Sequence, residues 1–507
     1  MAGQVHPYRM SAPVVRAPAP PSLRALRWHG VGASVLITVA SWGIGWFPRN
    51  QHSPLARTGF FIQFRTELIG VLACMLIMAV GLVWLTRCWL LLRPRVENQG
   101  QLPGRTLAGL VASWGAPLLA SFPILSRDVY SYLAQGRMLQ AGKSPYSEGI
   151  SALPGWFDGG SDGLWAQSPS PYGVLFLVVA RLIYVISGGI PEIGVGLLRL
   201  LAVAGVAGCY WATGWLARRL GVNPHWALWV IVANPLFLLT MIGGVHNDAL
   251  MIAATFWAFG LAQGRRIIAS TFALAVAVSI KPIVLVLLPF LGLMMLGRSA
   301  GLRERFAVWW RTTLAIAGWL TLFGVLTGLW FGWLPAMLTS GAAAFPYAPV
   351  GLLGTLFGLL ASLFGADASV VAQVVFTLAR LFSVYLVARL ALARNISDPL
   401  RLGAWALSAV VLLAPIIQPW YILWLFALFF ISQQVSWTSE KLMIGLSMLI
   451  TLAVFVDQIS IEQWHPVWLL RILAALLGVG LLASMLRWDR QVRQVGQQLA
   501  GCRIPRS

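Results

Sequence analysis

The sequence predicts an all-α polytopic membrane protein, and three observations lead to this class. Hydrophobic residues make up 59% of the 507-residue chain and charged residues 10%, whereas soluble domains have about 45–50% and about 25%. Apolar stretches long enough for membrane helices recur between His29 and Leu486. Clusters of arginine lie at the ends of these stretches. This composition excludes disordered, fibrous and disulfide-stabilised proteins.

The net charge of +21, from 36 basic and 15 acidic residues, reflects the membrane topology. Short cytoplasmic loops of membrane proteins collect arginine and lysine, and the basic residues here flank apolar segments and do not fill a polar domain. We therefore expect contacts with membrane lipids, anionic ones in particular, and no nucleic-acid partner.

Placing the arginine-rich loops inside predicts about 14 transmembrane helices, with both chain termini in the cytoplasm. The apolar segments 171–187 and 350–366 do not cross in this arrangement, and we expect them to lie along the outer surface or to re-enter the membrane. Two short spans meet at Lys281-Pro282, as in the broken helices that line polar cavities. The predicted spans are 29–47, 66–90, 106–123, 192–217, 225–242, 248–263, 267–281, 283–297, 312–333, 369–393, 401–417, 420–434, 441–459 and 466–487.

The longest polar stretch, 124–170, begins where the third predicted span ends. Asp128 follows Arg127 at the membrane exit, and it would share one face of a short helix with Tyr132, four residues later. An alternative explanation is that Asp128 only caps this helix. Further candidate residues in the stretch are Tyr130, Arg137, Lys143, Tyr146 and Trp165.

The same stretch mixes aromatic residues with carboxylates, which suits sugar binding and equally suits an aromatic belt at the membrane interface. Asp158 and Asp162 in the run FDGGSDG could hold a divalent cation through oxygen ligands. Gly-rich aspartate turns without a metal are commoner. We therefore expect no metal cofactor, with a divalent ion as the less favoured alternative.

A second candidate site is the run GGVHND at 243–248, at the outer end of the fifth predicted span. Its polar residues either contact a substrate or cap the next helix; they are His246, Asn247 and Asp248. Lys281 lies in an apolar run, where a charged residue is costly and functional by default, and we expect an anion such as a phosphate beside it. The other candidates at this membrane level are Gln418, Trp420 and Tyr421.

Soluble nucleotide-dependent enzymes are excluded because the chain has no phosphate-binding loop, dinucleotide fingerprint or zinc motif. A transporter would show repeated halves with polar residues near the membrane midplane. Here the ionisable residues cluster at the outer ends of predicted spans. The pattern favours an enzyme that acts on a membrane-borne substrate at the outer face.

The segment RDVYSYLAQGRMLQAGKSPY, from Arg127 to Tyr146, resembles the first outer loop of the polyprenol-phosphate-mannose-dependent α-1,6-mannosyltransferases that build lipomannan and lipoarabinomannan in mycobacteria and corynebacteria. The pieces SPYGVLFL, HNDALM, SIKP and IQPWY resemble the same family in the same order. The resemblance covers roughly residues 100 to 430. It implies a GT-C glycosyltransferase fold with outer-surface juxtamembrane helices and a catalytic core at 105–434 that carries the outer loop 124–191.

The rest of the chain divides around this predicted core, and the resemblance implies a multi-pass protein of the cell membrane with its active site on the outer face. The other segments are a cytoplasmic basic and Pro-rich tail at 1–27, two accessory transmembrane helices at 28–92, C-terminal transmembrane helices at 435–487 and a cytoplasmic basic tail at 488–507.

The resemblance also implies a mechanism with inversion, in which mannose passes from polyprenyl-phosphate mannose to a lipid-anchored mannan acceptor. Asp128 would be the general base for the acceptor hydroxyl, and partial desolvation would raise its pKa. Lys281 with Arg127 or Arg137 would stabilise the leaving phosphate. Sugar hydroxyls and faces would be contacted by His246, Asn247, Asp248, Tyr130, Trp165, Trp420 and Tyr421.

Two alternatives remain from the sequence. A related GT-C enzyme could transfer arabinofuranose from its own polyprenyl phosphate, because only the match at 127–146 distinguishes the two sugars. A lipid-linked-sugar flippase would need a polar path through the membrane, and the embedded Arg380 and Arg471 are too sparse to form one.

Overall fold

The computed structural model describes residues 21–46, 48–97, 102–339, 348–432, 436–459 and 465–501. Positions 1–20 and 502–507 of the two predicted tails lie outside the described residues. The described part consists of helices joined by turns and has no β-strand, which confirms the all-α class.

The helices follow one another with few long connections. Helices α1 to α10 are Leu23–Ile44, Gly59–Thr66, Leu68–Glu97, Gly104–Gly115, Asp128–Gln140, Val174–Ile186, Pro191–Leu220, Pro224–Ile231, Pro235–Leu238 and Asp248–Gln263. Helices α11 to α21 are Ile267–Val278, Leu288–Leu293, Leu302–Thr327, Trp333–Thr339, Pro349–Ser362, Ala368–Ala391, Pro399–Leu412, Tyr421–Phe430, Trp437–Gln458, Val467–Trp488 and Arg490–Gly501. A π-helical turn, Leu239–Gly243, continues α9, and a 3₁₀ turn, Pro282–Leu287, precedes α12.

Five of the described helices, α3, α7, α16, α19 and α20, are long and apolar enough to cross a membrane. A sixth candidate combines α8 with α9 and its π turn, and this pair bends by 57°. The chain is therefore a multi-pass membrane protein. The expected continuous span at 225–242 is corrected, because Asn234 is extended before Pro235 and the helix breaks there.

The segments 171–187 and 350–366, which are predicted not to cross the membrane, contain two short apolar helices. Helix α6 has 13 residues and α15 has 14, so each is about 20 Å long, shorter than the ~30 Å hydrocarbon core. Helices α11 and α18, with 12 and 10 residues, are equally short. The total of about 14 spans therefore stays a prediction.

The predicted accessory helices at 28–92 correspond to α1 and α3, which pack along each other. A methyl group added at Gly81 would lie 2.8 Å from Ile37 Cγ1 and 3.0 Å from the Ala33 carbonyl oxygen. Small residues allow membrane helices to approach this closely. Gly81 therefore sets the distance between the two helices.

Helix α3 is also joined to α8 and α19 by buried polar contacts. Trp89 and Trp229 each donate an indole N–H to the other's carbonyl oxygen, at 2.9 and 2.8 Å, and their rings stack at 4.9 Å. One turn further along α3, Arg93 forms a buried ion pair with Glu440 of α19 at 2.5 Å. These contacts hold α8 and α19 against α3.

We expect Glu440→Ala to lower the free energy of unfolding by about 3 kcal/mol, because Arg93 keeps its buried charge without its main partner. Glu97, 3.0 Å from Arg93, remains as a weaker one. Thermal unfolding in detergent micelles measures the effect.

The matched control is Glu148→Ala, which breaks the ion pair with Lys143 whose side chains are 37% and 40% exposed. An exposed pair contributes about 0–1 kcal/mol. Equal losses in the two variants would contradict the structural role of the Arg93–Glu440 pair.

Candidate active site

Asp128 is the first residue of α5, and its side chain does not cap the helix. The N-cap position is Arg127, which makes no side-chain capping bond, so the capping alternative for Asp128 is wrong. The Asp128 carboxylate accepts a hydrogen bond from the Tyr172 hydroxyl at 3.3 Å, and its backbone N–H donates to Ser126 Oγ at 3.0 Å. The residue is only 8% exposed.

A chain of buried polar groups continues from Asp128 through His246 to Asp248. His246 Nδ1 lies 3.9 Å from Asp128 Oδ2 and 3.4 Å from Asp248 Oδ2. Asp248 Oδ1 accepts hydrogen bonds from Lys281 Nζ and Trp424 Nε1, both at 2.6 Å. Two motifs that are far apart in the sequence therefore meet at one site.

One expectation about these residues is corrected. The side chain of Asp248 is used by Lys281 and Trp424, and the N-cap residue Asn247 makes no capping bond, so neither residue acts as a helix cap. Asn247 is 3% exposed, and its amide atoms have no hydrogen-bond partner in the described part of the chain. The buried counter-charge of Lys281 in the described part of the chain is Asp248, because burial of an ammonium group requires an anion at hand. The expected contact of Lys281 with a phosphate stays a prediction.

The predicted helix break at Lys281 is confirmed, and it determines where the ammonium group of Lys281 lies. Helix α11 ends at Val278, and the extended Lys281 precedes a 3₁₀ turn. Gly173 N–H donates to the Ile280 carbonyl oxygen at 3.1 Å, and a methyl group at Gly173 would overlap the Ser279 backbone. Only glycine permits this contact, which brings the neighbouring Tyr172 against the break.

Burial changes the acid–base properties of the two groups that face each other at the start of α5. Loss of solvation raises the pKa of Asp128, while its electrostatic interactions with His246 and Lys281 act against this shift. Burial also raises the pKa of Tyr172 far above its usual value. The phenol therefore remains a hydrogen-bond donor to the carboxylate.

Asp128 borders two cavities, of about 350 and 230 Å³. Trp165 and Gln418 also line both of them. The larger cavity has a wall of prolines and aliphatic side chains, with the polar groups of Asp128, Lys281 and Tyr421 close together at one end. Arg380 also lines this cavity. The smaller cavity is mostly polar and is lined by Arg127, Asp162, Trp420, Asp457, Gln458 and Arg471. A carboxylate between two unlike cavities can contact two different ligands.

Three aromatic candidates support this site. The ring of Trp420 lies 4.3 Å from that of His246. Tyr132 packs edge-on against Tyr172, with 5.1 Å between ring centroids, and Tyr146 donates its hydroxyl to the Tyr172 carbonyl oxygen at 2.9 Å. Tyr132 and Tyr146 therefore hold the residue that contacts Asp128.

Other candidates lie away from Asp128, which corrects their expected place in the site. Tyr130 and Arg137 point to the opposite side of α5, where they line a different cavity. Lys143 pairs with Glu148 at 2.8 Å on the surface. A helix separates residues two positions apart onto different faces, so one short helix cannot direct all of them to one substrate.

Two residues that contribute to the site, Arg199 and Trp424, were not among the candidates from the sequence. Arg199 could have been found, because an arginine within an apolar helix is the same signal that identified Lys281. Arg199 of α7 donates to the carbonyl oxygens of Ile242 at 3.1 Å and Leu119 at 2.9 Å. It thereby holds the start of the loop that carries His246. Trp424 had no distinguishing signal, because it lies among other large apolar residues of α18.

The 122–127 segment before α5 is held by a distant helix. Gln458, at the end of α19, accepts a hydrogen bond from Leu125 N–H and donates to the Ile44 carbonyl oxygen at 2.6 Å. Leu125 has a positive φ of 67°, a conformation that is costly for a branched side chain. The C-terminal helices thus position the start of α5 and Asp128.

Comparisons with known proteins agree with this set of motifs. A family model described as "Alpha-(1->6)-mannopyranosyltransferase, N-terminal domain" matches residues 27–297. The chain is 32% identical over 408 residues to alpha-(1->6)-mannopyranosyltransferase A of Mycobacterium tuberculosis, with 78% of each protein aligned. It is 39% identical over 186 residues to the protein of the same name from Corynebacterium glutamicum, covering 37% of each.

A second relative from Corynebacterium glutamicum, alpha-(1->6)-mannopyranosyltransferase B, is 26% identical over 446 residues, which is 79% of this chain and 71% of that protein. No solved structure matches the chain significantly, so the GT-C architecture stays a prediction. The family model covers more than half of the chain, and the first of these relatives aligns over most of its length. The chain therefore belongs to the alpha-(1->6)-mannopyranosyltransferase family.

Proposed function

We propose that this protein transfers mannose from polyprenyl-phosphate mannose to the α-1,6-mannan chain of a lipoglycan such as lipomannan or lipoarabinomannan. The names of its relatives support the sugar and the linkage. The structural observation that carries the proposal is the position of the Asp128 carboxylate between an apolar and a polar cavity. A base at that position contacts the acceptor on one side and the donor on the other.

The larger cavity suits the lipid-linked donor, because its apolar wall can contact a prenyl chain and its polar end can contact a phosphate. Lys281 shares its charge with Asp248, which leaves it less able to neutralise a second anion. Arg380 of α16 also lines this cavity, and its guanidinium has no ion pair or hydrogen bond among the described residues. We assign the main phosphate contact to Arg380, with Lys281 beside it.

The smaller cavity suits the end of the acceptor chain. Its carboxylates, Asp162 and Asp457, accept hydrogen bonds from hydroxyl groups, and the rings of Trp46 and Trp420 offer flat apolar faces. Its two arginines already have partners, because Arg127 donates to the Gly160 carbonyl oxygen at 2.9 Å and Arg471 lies 3.4 Å from the Asp457 carboxylate. A neutral sugar chain fits this mixture of groups.

The reaction is a single displacement at the anomeric carbon of mannose. Asp128 accepts the proton of the acceptor 6-hydroxyl as that oxygen forms a bond to the anomeric carbon. The bond from this carbon to the phosphate oxygen breaks, and the polyprenyl phosphate leaves with the electron pair. The Tyr172 hydroxyl and His246 orient the carboxylate for this step.

The distribution of arginines supports a site on the outer face of the cell membrane and cytoplasmic termini. The reaction as written uses no cofactor. In the described ranges, no group of three His, Cys, Asp or Glu side chains is placed to hold a metal ion. We therefore expect transfer to continue in EDTA.

Asp128→Asn should lower kcat by about 10²–10⁴-fold, because the amide cannot accept the acceptor proton. The assay is transfer of labelled mannose from purified polyprenyl-phosphate mannose to a short α-1,6-mannoside. Glu148→Gln, a surface carboxylate of the same loop that pairs with Lys143, is the matched control and should keep kcat. Near-normal kcat in a folded Asp128→Asn protein would remove Asp128 as the base.

The transfer rate should fall at low pH as Asp128 becomes protonated, since only the ionised carboxylate acts as a base. Burial raises its pKa, so this fall occurs at a higher pH than the ~3.9 of a free aspartate. His246→Gln removes an electrostatic interaction that lowers this pKa, and the acid limb of kcat/KM should move to still higher pH. An acid limb that stays in place would contradict the coupling of His246 to Asp128.

Arg380→Gln should raise the donor KM by about 10-fold, the loss expected when a hydrogen bond to a charged group is removed, and leave the acceptor KM unchanged. Arg389→Gln is the control, because Arg389 lies on the same helix and contacts Tyr385 at 3.4 Å. Initial rates at varied donor and acceptor concentrations separate the two constants. A change in acceptor KM alone would reverse the assignment of the cavities.

A further inference from the structure

A third cavity, of about 480 Å³, lies on the side of α5 opposite to the larger of the two Asp128 cavities, and the mechanism above does not use it. Four parts of the chain line it: α5 itself, the 153–161 loop, residues 49–52 after α1, and the 184–191 turn after α6. Its volume is within the range of about 300–1,000 Å³ that is typical of small-ligand sites.

The third cavity is a neighbour of the smaller Asp128 cavity. Three parts of the chain contribute residues no more than three positions apart to the two cavities. The smaller cavity receives the first and the third cavity the second of each pair: Trp46 and Arg49, Arg127 and Tyr130, Asp162 and Ser161. The two cavities therefore lie on either side of the same short segments, so a ligand longer than one sugar can extend from one toward the other.

The partition between the two cavities is rigid. Arg127 Nε donates to the Gly160 carbonyl oxygen at 2.9 Å, and its guanidinium lies 4.7 Å from the centre of the Trp46 ring. Tyr130 donates its hydroxyl to the Trp46 carbonyl oxygen at 2.7 Å. Both cavities are therefore held in a constant relative position, as successive subsites for one chain require.

The lining of the third cavity suits a neutral polyhydroxyl ligand. Asp158 accepts hydrogen bonds and Arg137 donates them, while the amides of Asn50 and Gln51 do both. The ring of Tyr184 supplies an aromatic face with a polar tip. Arg49 and Arg137 also line the cavity beside Asp158, and the binding experiment with inorganic phosphate below therefore distinguishes a saccharide from an anionic lipid headgroup.

We propose that this cavity is a second saccharide-binding site, which holds inner mannose residues of the acceptor while the end of the chain lies at Asp128. The proposal rests on the proposed function for the identity of the chain. A contact at the second site raises the local concentration of the acceptor end at the first. Longer acceptors should therefore have a lower KM than short ones, with a similar kcat.

The first experiment compares an α-1,6-linked mannobioside with the corresponding hexamannoside as acceptors. The double variant with Asp158→Asn and Tyr184→Ala should remove the advantage of the hexamannoside. Its KM for the hexamannoside should rise about 10-fold, toward that of the mannobioside, because two contacts are lost. Arg181→Ala, a surface arginine of α6 that contacts Gln140, is the control and should keep the advantage. If the double variant keeps it too, the site is overturned.

The second experiment measures binding without turnover, by calorimetry of the Asp128→Asn protein in detergent with the hexamannoside, the mannobioside or inorganic phosphate. Hexamannoside binding that the double variant loses supports the site, even if the wild type transfers no mannose. If mannose is transferred without a preference for longer acceptors and the hexamannoside does not bind, the second site is overturned while the proposed function stands. Binding of phosphate that the double variant loses would also overturn it.

Discussion

The buried ion pair between Lys281 and Asp248 is the constraint on which the site depends. Two charges removed from water are tolerated only when each is closely paired and its remaining hydrogen-bonding capacity is used. Here Trp424 donates to the same oxygen of Asp248 as Lys281, and His246 lies beside the other oxygen. This requirement draws α10, α18 and the break after α11 together, and Asp128 of α5 meets them through His246.

The same arrangement tunes Asp128 for its proposed work. A carboxylate in water is a weak base, and burial raises its pKa. The interactions of the carboxylate with His246 and Lys281 act in the opposite direction and lower its pKa. The mannosyltransferase proposal requires this balance, because the group has to lose its proton at neutral pH and still accept one from an alcohol.

Two of the four non-glycine residues with positive φ in the described part of the chain lie in the two segments that carry the acidic residues. Leu125 and Val245 both have positive φ, and each precedes a site residue by three positions or fewer. Strain of this kind persists only where surrounding structure enforces it. Gln458 from α19 and Arg199 from α7 bind the adjacent backbone, so helices remote from these segments in the sequence hold the geometry of the site.

The sequence by itself determined the membrane class, the family and the identity of Asp128, His246 and Lys281 as site candidates, because hydropathy and short motifs are local properties of the chain. Tertiary structure decided which charge neutralises which. The contacts of Asp248 join it to residues 33 and 176 positions away, and these distances depend on how helices pack. It also decided that Arg137 belongs to a different cavity, since the two faces of α5 become distinct only when other elements cover them.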